Sequence, residues 1–386
     1  MKVLVTGSNG FIGKNLVSHL QEIEGIEIIK YDKDNSFEEI EENIESIDFI
    51  YHLAGVNRPK DVSEFKKGNF DLTSKIINLI KSKNLKIPFL ITSSIQAALD
   101  NDYGKSKKLA EDYVLEYEKI APVFVFRLHN VFGKWCRPNY NSVVATFCNN
   151  IAKGMEITIN DSNAELNLIY IDDIVKEFIS VLYSKKASFK ENNYCYISPR
   201  YNITLGELAA HIKSFKNSMN SISVPNTGND FIKKLYSTYI SYVPLQELAV
   251  SATKNVDERG SFTELVRTEQ CGQFSISMSK PGIIRGNHYH HTKLERFIVV
   301  KGHAKIKFTS VIDNTSYEFE VSDKDIKIVT IPVGYTHNIE NVGDSEMILA
   351  IWCNELFDKK YPDTYFKPIN DENIIKIVWG VNLWKN

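Results

Sequence analysis

Hydrophobic and polar positions follow two different rhythms along this chain. As far as Val243, short β-branched runs alternate with longer amphipathic segments: V-L-V-T close to the start, then I-E-I-I-K-Y, F-I-Y-H-L-A, P-F-L-I-T-S-S and V-F-V-F-R-L. Runs this short and apolar suit strands buried on both faces, and the stretches between them are long enough for crossover helices. The pattern predicts a doubly wound parallel sheet, an α/β domain over residues 1–243. After V-P-L-Q-E-L-A-V-S-A-T the texture changes. From Asp257 onward, strand-like runs are separated by Gly, Asn, Asp and Pro, and helical periodicity fades. We therefore expect a linker over 244–256 and a compact all-β domain over 257–386. Its end, Lys367 to Asn386, carries I-I-K-I-V-W-G-V, which suits an added edge strand, a docking segment or a free tail.

Composition agrees with two packed domains, since 386 residues exceed one usual core and 43% of them are hydrophobic. The formal net charge of -2 provides no broad basic field for a nucleic acid or an anionic membrane surface, which leaves small-molecule chemistry. Five scattered cysteines without a C-x-x-C pair read as free thiols of a reducing compartment. The first strand runs directly into T-G-S-N-G, with no long apolar stretch, so a cytoplasmic protein without membrane insertion is expected.

The first candidate chemistry lies in Gly7, Gly10 and Gly13 of G-S-N-G-F-I-G, where Phe11 and Ile12 open a helix directly after a strand. Glycine lets the backbone turn tightly against a pyrophosphate, whose charge is favoured at a helix N-terminus. Asp32, after the second strand, stands where a carboxylate would bind the adenosine ribose, with Lys33 beside it; Leu53, Ala54 and Gly55 of H-L-A-G end the third. Tyr103 and Lys107 lie one helical turn apart on one face. The ammonium is expected to lower the tyrosine pKa, so that Tyr103 protonates a carbonyl oxygen as hydride reaches the carbon, with Ser94 bonded to the same oxygen.

In register with these, R-L-H-N-V-F-G (127–133) and L-I-Y-I-D-D-I (168–174) complete a set that resembles the extended short-chain dehydrogenases/reductases of the nucleotide-sugar branch, a Rossmann-like family. The resemblance implies that the glycine loop, Asp32, Lys33 and H-L-A-G hold a nicotinamide cofactor, and that Ser94, Tyr103 and Lys107 are catalytic. It also places Asn57, Arg127, Asn130, Lys134 and Asn141 around a nucleotide-sugar pocket. Asp172 and Asp173 read as a helix N-cap. Asp32 would repel a 2′-phosphate and favours NADH, whereas Lys33 could pair with one; the resemblance favours NADPH.

In the second domain, His288, His290, Glu295 and His337 occur in two spaced motifs that include Gly282, Gly302, Pro332, Gly334 and Asn341. On one strand His288 and His290 would share a face, so three imidazoles and a carboxylate form a plausible shell for zinc or another divalent metal. The motifs resemble those of the cupin family, a jelly-roll fold, apart from Ile326 where glycine normally stands. R-G-N-H at 285–288 also resembles the active strand of deoxysugar 3,5-epimerases, whose matching histidine is a base and whose arginine holds substrate. His288 is thus a base or a ligand, and Arg285 a substrate contact. Those epimerases use a tyrosine acid where this chain has Ala350, Ile351 and Trp352, which leaves Tyr335, Tyr289 or a water on the metal as candidates.

Taken together, the order of domains resembles bifunctional reductase–cupin enzymes of capsular polysaccharide synthesis. That implies a homodimer acting on a UDP-linked keto sugar. The cupin would invert C3 of a UDP-4-keto-6-deoxy-N-acetylhexosamine. The reductase would then reduce C4 with NADPH to UDP-2-acetamido-2,6-dideoxy-L-talose, on the route to UDP-N-acetyl-L-fucosamine. Two other readings stand beside it: a simple reductase whose cupin only binds or dimerises, and a nicotinamide-sensing regulator. Tyr103 and Lys107 count against the regulator.

Overall fold

The computed structural model describes residues 1–377 apart from 58, 60, 62, 220, 245, 246, 249–251, 292, 312, 333 and 373. Part of the expected linker, and the tail from 378 onward, lie outside the described residues. The chain divides into two compact units, residues 1–214 with 233–244, and residues 215–232 with 245–386.

The first unit contains β1 (Lys2–Thr6), β2 (Glu27–Tyr31), β3 (Phe49–His52), β4 (Phe89–Ser94), β5 (Val123–Leu128), β6 (Asn130–Phe132), β7 (Glu165–Tyr170), β8 (Lys190–Glu191), β9 (Tyr194–Cys195) and β10 (Tyr201–Thr204). Seven of these form a sheet in the order β2-β1-β3-β4-β5-β9-β8, parallel except for the last pair; β10, β7 and β6 form a smaller one. Alternation along β1 sends Val3 and Val5 to one face and Leu4 to the other. Val3 and Val5 pack with Leu16, Leu20, Phe178 and Val181, from the helices Phe11–Leu20 and Ile171–Ser184. Leu4 packs with Ile76, Ile80, Val114 and Tyr117, from Leu72–Ser82 and Asp102–Tyr117. A sheet covered on both faces cannot bind ligand there. The chain leaves β1 for β2 on one side and reaches β3 on the other, so a crevice opens beyond the carboxyl ends of β1 and β3.

In the second unit come β11 (Lys254–Asp257), β12 (Gly260–Thr268), β13 (Gly272–Ser279), β14 (Ile284–Tyr289), β15 (Glu295–Lys301), β16 (His303–Ser310), β17 (Ser316–Ser322), β18 (Ile328–Ile331), β19 (Tyr335–Asn341), β20 (Met347–Cys353), β21 (Tyr365–Phe366) and β22 (Ile375–Ile377). They build two six-stranded sheets, β11-β12-β13-β20-β15-β18 and β21-β14-β19-β16-β17-β22, antiparallel except that β22 joins β17 in parallel as an edge strand. Phe297, Val299, Ile306, Ile339 and Leu349 belong to the core of this unit. Residues 215–232, placed with the α/β domain by the sequence pattern, group here instead. Their Ile222 and Val224 exchange backbone hydrogen bonds of 2.8 Å with Arg267 of β12, an edge pairing that hydrophobic periodicity does not encode. No helix among the described residues is long and apolar enough to cross a membrane.

Candidate active site and histidine–carboxylate cluster

The glycine loop follows β1, and its glycines are there for space. Gly7 has φ +68°, and a Cβ on it would stand 2.7 Å from the Ala54 amide nitrogen; one on Gly13 would lie 2.1 Å from the Gly7 carbonyl. The loop floors a cleft of about 560 Å³ also lined by Phe11, Ile12, Leu53, Gly55, Asn57, Ser94, Tyr103, Lys107, Asn130 and Asn141. Among the described residues its lining includes the cationic side chains of Lys14, Lys107 and Arg137 but no carboxylate. Asp32 stands behind the loop, its Oδ2 accepting from the Asn9 amide (2.6 Å) and the Ser8 hydroxyl (3.3 Å). Lys33 is exposed, and neither it nor Asp32 lines the cleft.

Ser94 ends β4, where its Oγ accepts from the Gln96 amide and stands near the Tyr103 phenol. Tyr103 occupies the first turn of Asp102–Tyr117, a helix capped by Asn101 Oδ1, which accepts from the Gly104 amide at 2.7 Å. Lys107, one turn on, is buried and donates from Nζ to the Thr92 carbonyl at 3.2 Å. Burial pushes the Lys107 ammonium down to about 8, against the opposing pull of Glu111. Burial also raises the Tyr103 phenol, partly offset by the nearby Ser94 hydroxyl. The expected lowering of the tyrosine by Lys107 is therefore not found: desolvation sets the direction, and Tyr103 is held as a phenol, the form that can donate a proton.

Asn69 went unnoticed in the sequence because nothing marks it off from its amphipathic segment. It is buried; Oδ1 accepts from the Val56 amide at 2.8 Å, and Nδ2 donates to the Val56 carbonyl and to Ser106 Oγ. A Cβ on Gly55 would lie 2.9 Å from both Asn69 Oδ1 and Lys107 Nζ, so Gly55 is the surface over which these two close.

Two expected pocket residues are corrected. Arg127 faces away from the cleft and forms a two-pronged pair with fully buried Glu111 (2.9 and 2.7 Å) beneath its stack on Tyr194. Lys134 pairs with Asp172. Arg137, ten residues beyond Arg127, lines the cleft instead, over the Tyr140 ring. Asp172 and Asp173 are not the N-cap, which is Tyr170; they occupy the first turn of Ile171–Ser184, where the helix dipole favours them, paired with Lys134 and His19, and with Lys234.

In the second unit, the potential ligand atoms of His288, His290, Glu295 and His337 all lie within 4.8 Å of one another. Their meeting depends on a bulge. In β14, Arg285 pairs with Ile339 and Gly286 with Asn338, but His288, not Asn287, pairs with His337. The extra residue reverses the alternation, so Arg285 and His288, three apart, share the inner face. Gly286 (φ +108°) and Asn287 (φ +60°) supply the turn. His290 lies just past the end of β14, so the expectation of both histidines on one strand is corrected, although their rings are 4.9 Å apart.

His290 Nδ1 contacts the Asp363 carbonyl at 2.6 Å, and His337 Nδ1 the Tyr335 carbonyl at 3.4 Å. In both residues Nε2 is buried without a hydrogen-bond partner among the described residues, 3.7 and 3.2 Å from Glu295 Oε2. Burial would raise the Glu295 carboxyl, but the two histidines hold it far below the usual range. Burial, then the neighbouring His337 and His290, lowers His288 to about 4. The Arg285 guanidinium bonds Ser279 Oγ at 2.9 Å and the Met278 carbonyl at 3.3 Å.

Residues 3–195 match the NAD dependent epimerase/dehydratase family, and residues 255–365 match the Polysaccharide biosynthesis C-terminal domain. The chain is 46% identical to UDP-2-acetamido-2,6-beta-L-arabino-hexul-4-ose reductase of Pseudomonas aeruginosa, over 95% of this chain and 98% of that one. The capsular polysaccharide assembling protein CapF from Staphylococcus aureus, a crystal structure, superposes with a TM-score of 0.86 at 42% identity, covering 96% of this chain and 100% of that one. The spore coat polysaccharide biosynthesis protein SpsL of Bacillus subtilis is 28% identical over 31% of this chain and 87% of its own length.

Proposed function

The chain belongs to the NAD dependent epimerase/dehydratase family, and from that premise we propose that its first unit reduces the C4 ketone of a UDP-linked 4-keto-6-deoxy-N-acetylhexosamine with NADPH. The observation that carries this reading is one cleft in which a glycine loop meets Ser94, Tyr103 and Lys107 among cations and, among the described residues, no carboxylate. Such a lining suits two diphosphates, one of a dinucleotide and one of a nucleotide sugar. The glycine loop fits the cofactor, because Gly7 folds tightly against the Ala54 backbone and Gly10 and Gly13 bring side-chain-free backbone to the cleft at the start of the helix Phe11–Leu20. A reduced nicotinamide there supplies hydride to C4. Tyr103 donates its phenolic proton to the C4 oxygen, Ser94 bonds that oxygen, and Lys107 holds positive charge beneath them. Asn57, Asn130, Asn141 and Arg137 are the groups on this cleft that would receive the nucleotide sugar.

The second unit, in this reading, is a cupin that epimerises the same sugar at C3 before reduction. Its four convergent groups fit zinc or another divalent ion, since three imidazoles and a carboxylate are a zinc donor set and two of the Nε2 atoms are buried without a partner among the described residues. The ion would be held by His288, His290, Glu295 and His337 and would stabilise negative charge on the C4 oxygen. With all four groups converging, His288 is assigned as a ligand, and the C3 proton passes to a solvent water beside it. Arg285 shares the inner face beside it and orients the substrate; Tyr335, two residues before His337, is the acid candidate on that face, while Tyr289 stacks on Tyr365. The product is UDP-2-acetamido-2,6-dideoxy-L-talose, a precursor of UDP-N-acetyl-L-fucosamine for surface polysaccharide.

The test supplies the UDP-keto sugar in deuterated water without NADPH and follows C3 by NMR. Exchange at C3 should persist in Tyr103→Phe, which loses at least about 100-fold in NADPH oxidation. It should collapse in Arg285→Ala with cofactor binding intact. Near-normal NADPH oxidation by a folded Tyr103→Phe, or undiminished exchange in Arg285→Ala, would contradict the assignment.

A further inference from the structure

The loop that follows β20 carries a residue that the metal-site motifs do not contain. Asp363 stands about seventy positions from His290 in sequence, yet holds the His290 ring and the His291 and Lys293 amides. Its backbone carbonyl contacts His290 Nδ1 at 2.6 Å. Its carboxylate accepts from the His291 amide through Oδ1 (3.0 Å) and from the Lys293 amide through Oδ2 (2.9 Å). Lys293, itself buried, donates back to the Pro362 carbonyl (3.3 Å) and to Thr364 Oγ1 (3.2 Å), which straps the two segments from the other side.

We infer that Asp363 is a positioning residue of the histidine–carboxylate cluster: it selects the tautomer of His290 and fixes the spacing between His290 and Glu295. A carbonyl oxygen can only accept, so the nitrogen facing it must carry the hydrogen. That places the proton on Nδ1 and leaves Nε2 with a free lone pair toward Glu295 and His337. The carboxylate acts on the backbone. By pinning the amides on both sides of residue 292 it sets where the chain enters β15, and hence where Glu295 starts. Asp363 itself adopts φ +38°, a left-handed conformation that aspartate tolerates better than most residues and that aims its carbonyl and carboxylate at the same turn. Outer-shell groups of this kind typically change metal affinity 10–100-fold when removed.

The inference rests on the reading of the cluster as a metal site, and the experiment separates the two. Zinc alone is titrated into the metal-free full-length chain against a chromophoric chelator, for the parent protein, Asp363→Ala and Asp363→Asn. Asp363→Ala should raise the zinc Kd about 10–100-fold. Asp363→Asn, which keeps one acceptor oxygen and suits positive φ, should fall between and guards against a misfolded alanine variant. Melting temperatures of metal-free and zinc-loaded protein are recorded for each. If both drop equally while Kd stays unchanged, Asp363 is merely structural and the inference is overturned. In parallel, long-range ¹⁵N spectra of histidine-labelled, metal-free protein report the ring protons, with His290 assigned by its loss in His290→Gln. His290 should be the Nδ1–H tautomer in the parent and in Asp363→Asn, since the backbone carbonyl of residue 363 selects it; any other tautomer in the parent overturns the inference. Should the parent bind no zinc, the metal reading fails, while the tautomer still decides the role of Asp363.

Discussion

Lys107→Met should make the protein more stable and nearly inactive at once. The lysine ammonium is buried at the helix–strand junction and pushed down to about 8 from 10.5. At about 1.4 kcal/mol for each tenfold change in proton affinity, that depression corresponds to roughly 3 kcal/mol of destabilisation wherever the group must be charged. Methionine keeps the unbranched stem and removes the charge. It also removes the bond to the Thr92 carbonyl, and a buried acceptor left alone costs roughly 1–2 kcal/mol, so the net gain at pH 7 is on the order of 1–2 kcal/mol. Below about pH 8 the lysine is protonated in both states and its full penalty is present. Between about 8 and 10.5 only the unfolded chain keeps the proton, so the parent gains stability as pH rises. Above that window the penalty is gone and the lost Thr92 bond leaves the variant the weaker protein. Urea midpoints of both proteins at pH 7 and pH 10.5, with steady-state reduction at pH 7, test this. The variant should unfold at higher urea at pH 7, lose that lead by pH 10.5, and reduce substrate at least about 100-fold more slowly. A variant weaker at pH 7, or a gap that does not change with pH, would refute the claim that an incompletely compensated buried charge sits one helical turn from Tyr103.

Two further outcomes follow from geometry. Arg137→Gln should raise KM for the UDP-keto sugar about 10–100-fold, the worth of one charge-assisted contact, with kcat and the Kd for NADPH nearly unchanged; steady-state kinetics and a cofactor titration check it, and an unaltered KM removes Arg137 from the nucleotide subsite. Gly286→Ala puts a Cβ 2.7 Å from the His337 carbonyl at φ +108°, so the bulge should relax, with roughly 1–3 kcal/mol lost in the second unit and zinc affinity and C3 exchange falling together. Chelator competition and the deuterium assay read both; unchanged values would mean that the cluster does not need the bulge.

What the amino-acid sequence by itself determined was whatever repeats locally. The alternation of apolar runs and amphipathic stretches was enough to place β1 to β5 and their helices, because strand and helix periods are properties of neighbouring residues. The glycines of the loop after β1, the Tyr103–Lys107 spacing and the two histidine motifs were legible for the same reason: each is a short local pattern. Only the tertiary structure decided which of several cations faces the cleft. Arg127, Lys134 and Arg137 look alike in sequence, yet Glu111 and Asp172, brought in by distant segments, neutralise the first two and leave the third on the cleft. It also decided the sign of the perturbation at Tyr103, since burial is a sum over the whole fold whereas the lysine one turn away is a local fact. In the second unit, four ligand types could be chosen from the sequence, but not the bulge that turns Arg285 and His288 to one face, nor the grip of Asp363 on His290, because pairing register and contacts across seventy residues exist only once the sheets have closed.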